Sequence, residues 1–308
     1  MDNNNHPLVS VFVVSYNAGE YICETLDSIK AQTYGNIELI VSDDHSSDDT
    51  VCKAKEWIEK NKERFVRTEV ITVDHNTGVS ANYNRAVKAC RGEWVKNIDG
   101  DDLITPNCIE DNLEYVRKHP DCKWVFSQVQ NFRSDNNRIE YLDYIFNDKK
   151  KEFFSLGCEE QFKYLLKENL LPSQSNFIHI DLLKSHPYNE DYRGLEDAPL
   201  WLNLAKDGYK ACYFDVCTAL YRSNESITSS SERFYSSLYF ESSQKFFWSE
   251  KVNHIRRYNL IDAYNHNRRY LLTMEFADVI LGNKKSRVRN MIFRIARRYI
   301  NKHVYFKL

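Results

Sequence analysis

Four times in about the first hundred residues, an apolar, β-branched run gives way to a cluster of polar side chains, with helical spacing between one run and the next. The runs are Leu8 to Val14, Ile37 to Val41, Glu69 to Val73 and Glu93 to Lys96. The first is almost wholly apolar, as a strand covered on both faces must be. Tyr21, Ile22, Thr25, Leu26 and Ile29 keep helical spacing, and further helices are predicted from about Asp48 to Asn61 and from about Val79 to Cys90. Strands alternating with helices this regularly predict an α/β fold, a mostly parallel sheet with helices on its faces. In such sheets, ligands bind beyond the carboxyl ends of the strands.

Those ends carry the chemistry. They present Ser15, Tyr16 and Asn17, then Ser42, Asp43 and Asp44, then Asp74, His75 and Asn76, and finally Asp99, Asp101 and Asp102. Three carboxylates in four residues repel one another, so the last cluster is either an oxygen cage for a hard divalent cation or a solvated acidic turn around Gly100. A helix-loop-helix calcium site is disfavoured, because Leu103 and Ile104 stand where that loop needs an oxygen ligand and a glycine. Ser47 or Asp48 is expected to cap the following helix, with Asp43 or Asp44 facing the ligand. There is no Walker loop and no Gly-x-Gly-x-x-Gly, so a bound phosphate would be neutralised by metal rather than by a glycine-rich cradle.

Taken in order, Val14-Ser15-Tyr16-Asn17, Val41-Ser42-Asp43-Asp44-His45-Ser46, Asn76-Thr77-Gly78, Gly92-Glu93-Trp94-Val95, Asp99-Gly100-Asp101-Asp102 and Gly194-Leu195-Glu196-Asp197 resemble the family 2 glycosyltransferases, inverting enzymes of the GT-A fold. The resemblance covers about the first 225 residues. It implies a nucleotide-sugar donor, usually a uridine diphosphate sugar, held through Mn²⁺ or Mg²⁺, and a glycan or lipid-linked acceptor. Tyr16 resembles the residue that lies against the base, Asp44 the one that pairs with it, Asp101 the aspartate on ribose or metal, and Asp102 the metal ligand proper. The resemblance also assigns Ser15, Asn17 and Asn84 to the nucleotide-sugar site, Asp99 to the metal set, Asp197 to the general base and Glu196 to the acceptor. Two departures stand out. Relatives often carry an arginine where Tyr83 precedes Asn84, and a Tyr-Arg-x-His pattern reads Tyr221-Arg222-Ser223-Asn224 here. Asn224 cannot titrate near neutral pH.

On the residues alone, Glu196 and Asp197 read as the cap of a helix through Pro199, Leu200, Trp201 and Leu204; the upstream motifs favour acceptor-side chemistry. The helix amino terminus is expected to keep Asp197 ionised. A non-catalytic protein of the same fold, binding a nucleotide sugar or a glycan, is the rival reading. The presence of Asp44, Asp101, Asp102 and Asp197 together favours the enzyme.

Beyond the acidic cluster, a helix is predicted from Pro106 to about Lys118, with sheet resuming at Trp124-Val125-Phe126 and at Ser175 to Ile180. The polar stretch from Arg133 to Lys151 breaks the rhythm, either as an exposed insertion over the cleft or as an inert excursion. Ile227 to Glu232 reads as a loop. The expected division is a catalytic domain at 1–225, its nucleotide-sugar half at about 1–130, followed by a helical extension at 226–308.

From Lys284 to Leu308 there are nine Lys or Arg and no acid, leaving 33 basic against 44 acidic groups in the remainder. Val288, Met291, Ile292, Ile295, Tyr299 and Val304 fall on one face of this basic tail, which either lies on an anionic membrane surface or packs on the catalytic domain. With 42% hydrophobic and 28% charged residues and no run of eighteen apolar residues, the chain is expected to be cytoplasmic, or peripheral on the cytoplasmic face, with no nucleic-acid partner. Its eight scattered cysteines are expected to be buried thiols in a reducing compartment.

Overall fold

A computed structural model describes residues 6–135, 138–223 and 232–308. Its first four strands are β1 (Val9–Ser15), β2 (Ile37–Asp43), β3 (Arg67–Thr72) and β4 (Trp94–Asp99). They pair in parallel in the order β3-β2-β1-β4. Every residue of β1 and β2 is buried, as the unbroken apolar run requires. Successive side chains serve opposite faces. Val9, Val11 and Val13 pack against helices α1 (Ile22–Lys30), α2 (Thr50–Asn61) and α4 (Cys108–Lys118). Phe12 and Val14 pack on the other face with α3 (Val79–Ala89). The order reverses between β1 and β4, which opens a crevice beyond their carboxyl ends.

The second half extends the same sheet with mixed polarity. β5 (Leu103–Ile104), β6 (Trp124–Asp135), β7 (Arg138–Tyr144), β8 (Phe177–His179) and β9 (Cys212–Arg222) complete nine strands. β8 is antiparallel to β4 and to β6, while β9 runs parallel to β6. The stretch expected to break the rhythm, from Arg133 to Lys151, takes in the end of β6, the antiparallel β7 and the start of α5 (Asp148–Ser155). Its tyrosines Tyr141 and Tyr144 are exposed. α6 (Cys158–Lys167), α7 (Ile180–Ser185) and α8 (Asp197–Lys206) cover this half, with Trp201 stacked on Trp124 at 5.3 Å.

The cysteine expectation needs correcting. Cys122 and Cys212 form a disulfide, with Cα atoms 6.4 Å apart, although 90 residues separate them. The parallel pairing of β6 and β9 brings them together, a proximity that sequence spacing cannot show. Cys90 and Cys108 are buried thiols as expected, whereas Cys52 is exposed.

The helices after residue 232 are α9 (Ser237–Phe246), α10 (Val252–Arg257), α11 (Ile261–Val279) and α12 (Arg287–His303). Phe246, Ile255, Tyr264 and Leu271 join the core that contains Trp201 and Phe12, so α9 to α11 share the hydrophobic interior of the sheet domain. α12 does not bury its apolar stripe. Phe293 stacks on Phe234 at 4.4 Å and Ile300 is buried, whereas Val288, Met291, Ile292, Ile295 and Tyr299 are exposed. Of the predicted stripe only Val304 is part-buried, its carbonyl accepting from Arg269 of α11. Among the described residues no helix is long and apolar enough to cross a membrane.

Candidate active site

The acidic loop leaves β4 in a tight turn, with the Asp102 N–H donating to the Asp99 carbonyl at 3.1 Å and the Gly100 N–H to the Val14 carbonyl at 2.9 Å. Gly100 is required by close approach: a Cβ there would lie 3.1 Å from Ala18 Cβ and 3.2 Å from Ser15 Cβ. From the far end of the sheet, Arg222 braces the loop. Its backbone N–H donates to Asp102 Oδ1 at 2.8 Å and its Nε to the Asp101 carbonyl at 2.6 Å. Its Nη2 reaches Glu24 Oε2 at 2.6 Å, and its plane lies over the rings of Tyr21 and Phe132 at 4.3 and 4.5 Å.

The Arg222 guanidinium thus engages the Asp101 carbonyl and Glu24 rather than a loop carboxylate. Asp102 is fully buried and its Oδ2 has no partner. Burial, then the charges of Asp101 and Asp99, push its pKa well above the usual carboxylate range. Burial likewise raises Asp101, and burial with Asp101 beside it raises Asp99 to about 6. Such a loop stands ready for a cation, and Asp102 Oδ2 is the atom left open for one. Asp99 is differently placed, accepting from the Tyr83 hydroxyl at 2.9 Å and from Gln174 Nε2 at 3.2 Å. Among the described residues no three His, Cys, Asp or Glu side chains gather as a metal cage. The residues therefore fit a cation that takes one or two carboxylates and completes its shell with phosphate oxygens, the habit of Mg²⁺.

Across the same crevice stand Glu196 and Asp197. Asp197 opens α8, and its Oδ2 accepts from Asn169 Nδ2 at 3.1 Å. Burial raises it to about 6. The helix terminus favours the ionised form, but desolvation outweighs it and makes the carboxylate more basic than an exposed aspartate. Glu196 is raised well above the usual range by burial, by Asp197 and by Asp99. The mutual influence of Asp99, Glu196 and Asp197 shows that the fold brings the loop and the α8 carboxylates into one cleft, although about a hundred residues separate them in sequence. Tyr221 feels all of Asp102, Asp99, Asp101 and Glu196, and burial pushes its hydroxyl far up.

At the other end of the crevice Tyr16 is exposed, the accessibility a stacking platform needs. Asn17 adopts a positive φ of 52° and its Oδ1 accepts from the Ser47 N–H at 2.8 Å. Asp44 is buried among internal donors: the Thr77 hydroxyl at 2.6 Å, Arg85 Nη2 at 2.7 Å and the Gly78 N–H at 2.8 Å. Burial pushes it up, but the bonds from Thr77, Arg85 and Gly78 outweigh that and hold it below the usual range.

The model of the family described as glycosyl transferase family 2 matches residues 10–171, more than half of the chain. The chain belongs to glycosyl transferase family 2. It is 29% identical over 211 residues to an uncharacterised glycosyltransferase of Methanocaldococcus jannaschii, covering 68% of each chain. It is 26% identical over 215 residues to the UDP-Glc:α-D-GlcNAc-diphosphoundecaprenol β-1,3-glucosyltransferase WfaP of Escherichia coli, covering 70% of this chain and 77% of that one. S. aureus TarS 1-349 in complex with UDP-GlcNAc has a similar fold, with a TM-score of 0.57 and 16% identity over 97% of this chain and 93% of the other.

In this family 2 glycosyltransferase several residues read from sequence serve the protein itself. Asn84 clamps the segment before α8, donating to the Tyr188 carbonyl at 2.9 Å and to Glu190 at 2.8 Å while accepting from the Tyr188 N–H. Its neighbour Arg85 points instead to Asp44 and Thr77, at 2.7 and 2.6 Å. Ser15 is buried and donates to Asp43 at 2.8 Å. The Asp44 carboxylate has its lone pairs occupied, so a base N–H reaches it only in exchange for one of the present donors. Of the two residues expected at the start of the next helix, Asp48 accepts from the Thr50 and Gly19 N–H groups, while the Ser47 N–H donates to Asn17.

Sequence reading missed Arg85 and the brace Arg222. Tyr221-Arg222 was visible as a motif without its target. Asn224 and most of the 227–232 loop lie outside the described residues.

Proposed function

We propose that this glycosyltransferase moves a sugar from a nucleotide diphosphate donor, a UDP-sugar, to a hydroxyl of a glycan or lipid-linked acceptor with inversion, and that Asp197 is the general base. The observation that carries this reading is the placement of Asp197 in the same cleft as the acidic loop with its pKa lifted to about 6. A carboxylate of that strength is ionised at neutral pH and more basic than a solvent-exposed aspartate, both of which general-base catalysis rewards. It takes the acceptor hydroxyl proton as that oxygen bonds to the anomeric carbon and the bond to the diphosphate oxygen breaks. Tyr16 lies against the base, with Asn17 and Asp44 at the same end. Asp102 and Asp101 would hold Mn²⁺ or Mg²⁺, which when bound supplies positive charge to the leaving diphosphate. Asp99, engaged by Tyr83 and Gln174, positions the loop, and Glu196 orients the acceptor.

Asp197→Asn tests the base. Turnover should fall by roughly two or more orders of magnitude while UDP affinity in Mn²⁺ is unchanged. Near-normal turnover would return Asp197 to a helix cap. Chelation tests the metal: UDP affinity measured by calorimetry should drop sharply in EDTA, because the diphosphate then meets the acidic loop unscreened.

The exposed apolar stripe of α12, flanked by the basic residues of the tail, supports attachment to an anionic bilayer surface. Ile295→Glu combined with Met291→Glu alters only exposed positions, and it should abolish sedimentation with anionic liposomes without lowering Tm. Unchanged sedimentation would exclude this stripe as the contact.

A further inference from the structure

A cavity of about 890 Å³ lies between α11 and α12, and no residue before Lys167 lines it. Its charge is the opposite of the acidic cleft. Lys167, Arg269 and Arg297 face it with Asp262 as the single acid, and His266, whose pKa burial lowers, adds no charge at neutral pH. Arg269 is fixed in place: its Nε donates to the Val304 carbonyl at 2.7 Å and its guanidinium lies 4.4 Å over the Tyr305 ring. The remaining walls are largely aromatic, among them Tyr239, Tyr270 and Phe293. Aromatic walls with a few convergent charges in a volume of this size describe a small-molecule site, and a fixed guanidinium with two further cations beside it favours phosphate.

Two walls of the cavity also bound the surroundings of Asp197. Lys167 ends α6, and Asn169, two residues on, donates to Asp197. α11 grips that segment through Asn267, which donates to the Leu166 and Lys167 carbonyls at 2.9 and 3.0 Å. Tyr239 is the second shared wall: a Cβ on Gly194 would lie 2.9 Å from its backbone nitrogen, and the Asp197 charge contributes to raising its hydroxyl.

We propose that this cavity is the acceptor pocket and that it takes an acceptor bearing a phosphate or diphosphate, whose group lies on Arg269, Arg297 and Lys167. The assignment rests on the reading of Asp197 as the base, since it is proximity to that carboxylate that makes the cavity an acceptor site. It also explains the local reversal of sign, because an anionic acceptor would otherwise meet a cleft of five carboxylates. Lipid phosphates and free phosphates share this chemistry. α12 contributes Phe293 and Arg297 to the pocket while its exposed face carries Met291, Ile292 and Ile295, an arrangement that suits a lipid tail leaving the pocket toward a bilayer.

The test is calorimetric binding of farnesyl diphosphate, inorganic pyrophosphate and farnesol in EDTA, where the metal-free acidic loop repels a diphosphate. Farnesyl diphosphate should bind, farnesol should not, and the exposed substitution Arg297→Glu should weaken the diphosphate at least tenfold, with Arg297→Lys retaining most of the affinity. Pyrophosphate binding as tightly as farnesyl diphosphate supports the pocket and assigns it to phosphate alone; weaker pyrophosphate supports it with a lipid source. No binding of either diphosphate, or binding indifferent to Arg297→Glu, overturns the proposal. Turnover of Asp197→Asn runs alongside, so that a failure of the base reading is seen separately: near-normal turnover would remove the base and leave the EDTA result untouched.

Discussion

Asp197 occupies the first turn of a helix, a position that lowers a carboxylate's pKa, and yet it titrates near 6 because burial is the stronger influence. With the base titrating there, kcat/KM should rise about tenfold per pH unit up to about pH 6 and then level off; because Asp99 is also raised to about 6, the inflection belongs to the acidic group as a set. A flat profile from pH 5 to 8 would argue against a carboxylate base. Stability follows the opposite course. Asp99 and Asp197 hold protons in the folded chain that the unfolded chain has already released, so stability present below about pH 4 is lost as pH rises toward 6. Donor-free protein should therefore melt higher at pH 5 than at pH 7.5, and UDP with Mn²⁺ should narrow the difference. Asp102→Asn removes the most deeply buried of these charges. It should raise the Tm of the donor-free protein at neutral pH, by about 2–4 °C for each kcal/mol of relief, while abolishing the Mn²⁺ dependence of UDP binding; a lower Tm would mean that the carboxylate is internally compensated. At this scale the sequence was informative about which residue types meet in the cleft. It was silent on which have bonding capacity left, because the internal partners of Ser15, Asp44 and Asn84 are contributed by other elements.

Elements were more legible than single side chains. The parallel strands follow from apolar runs covered on both faces, and α3, α4 and α8 from their helical start and periodicity signals. The hairpin of β6 and β7 was not legible, because its outer residues are polar or solvent-facing tyrosines and its pairing depends on the turn. Nor was the role of β9, whose register delivers Arg222 to the acidic loop 120 residues upstream. Arg222→Met should cost roughly 3–5 kcal/mol, as loss of one partner from a buried ionic network does, and weaken UDP in Mn²⁺ at least tenfold through loss of the Asp101 and Asp102 geometry. Urea denaturation and calorimetry on one sample separate the two effects. Unchanged UDP affinity in a destabilised variant would reduce Arg222 to a packing residue.

At the scale of the molecule, one sheet serves two halves with different tasks, and the first is almost complete in sequence by residue 102. Its loop nevertheless takes its brace from β9, near the end of the sheet domain. Contacts of such long sequence separation form late, since the chain between them must be ordered first. A nascent chain that has emerged only through β4 thus holds the acidic residues without the geometry to use them. During refolding, UDP capture in Mn²⁺ should lag behind recovery of the far-ultraviolet dichroism, and simultaneous recovery would mean that the loop forms unaided. The long reach of one arginine makes nucleotide capture a report on the finished chain, so that a truncated or half-folded copy would not sequester donor.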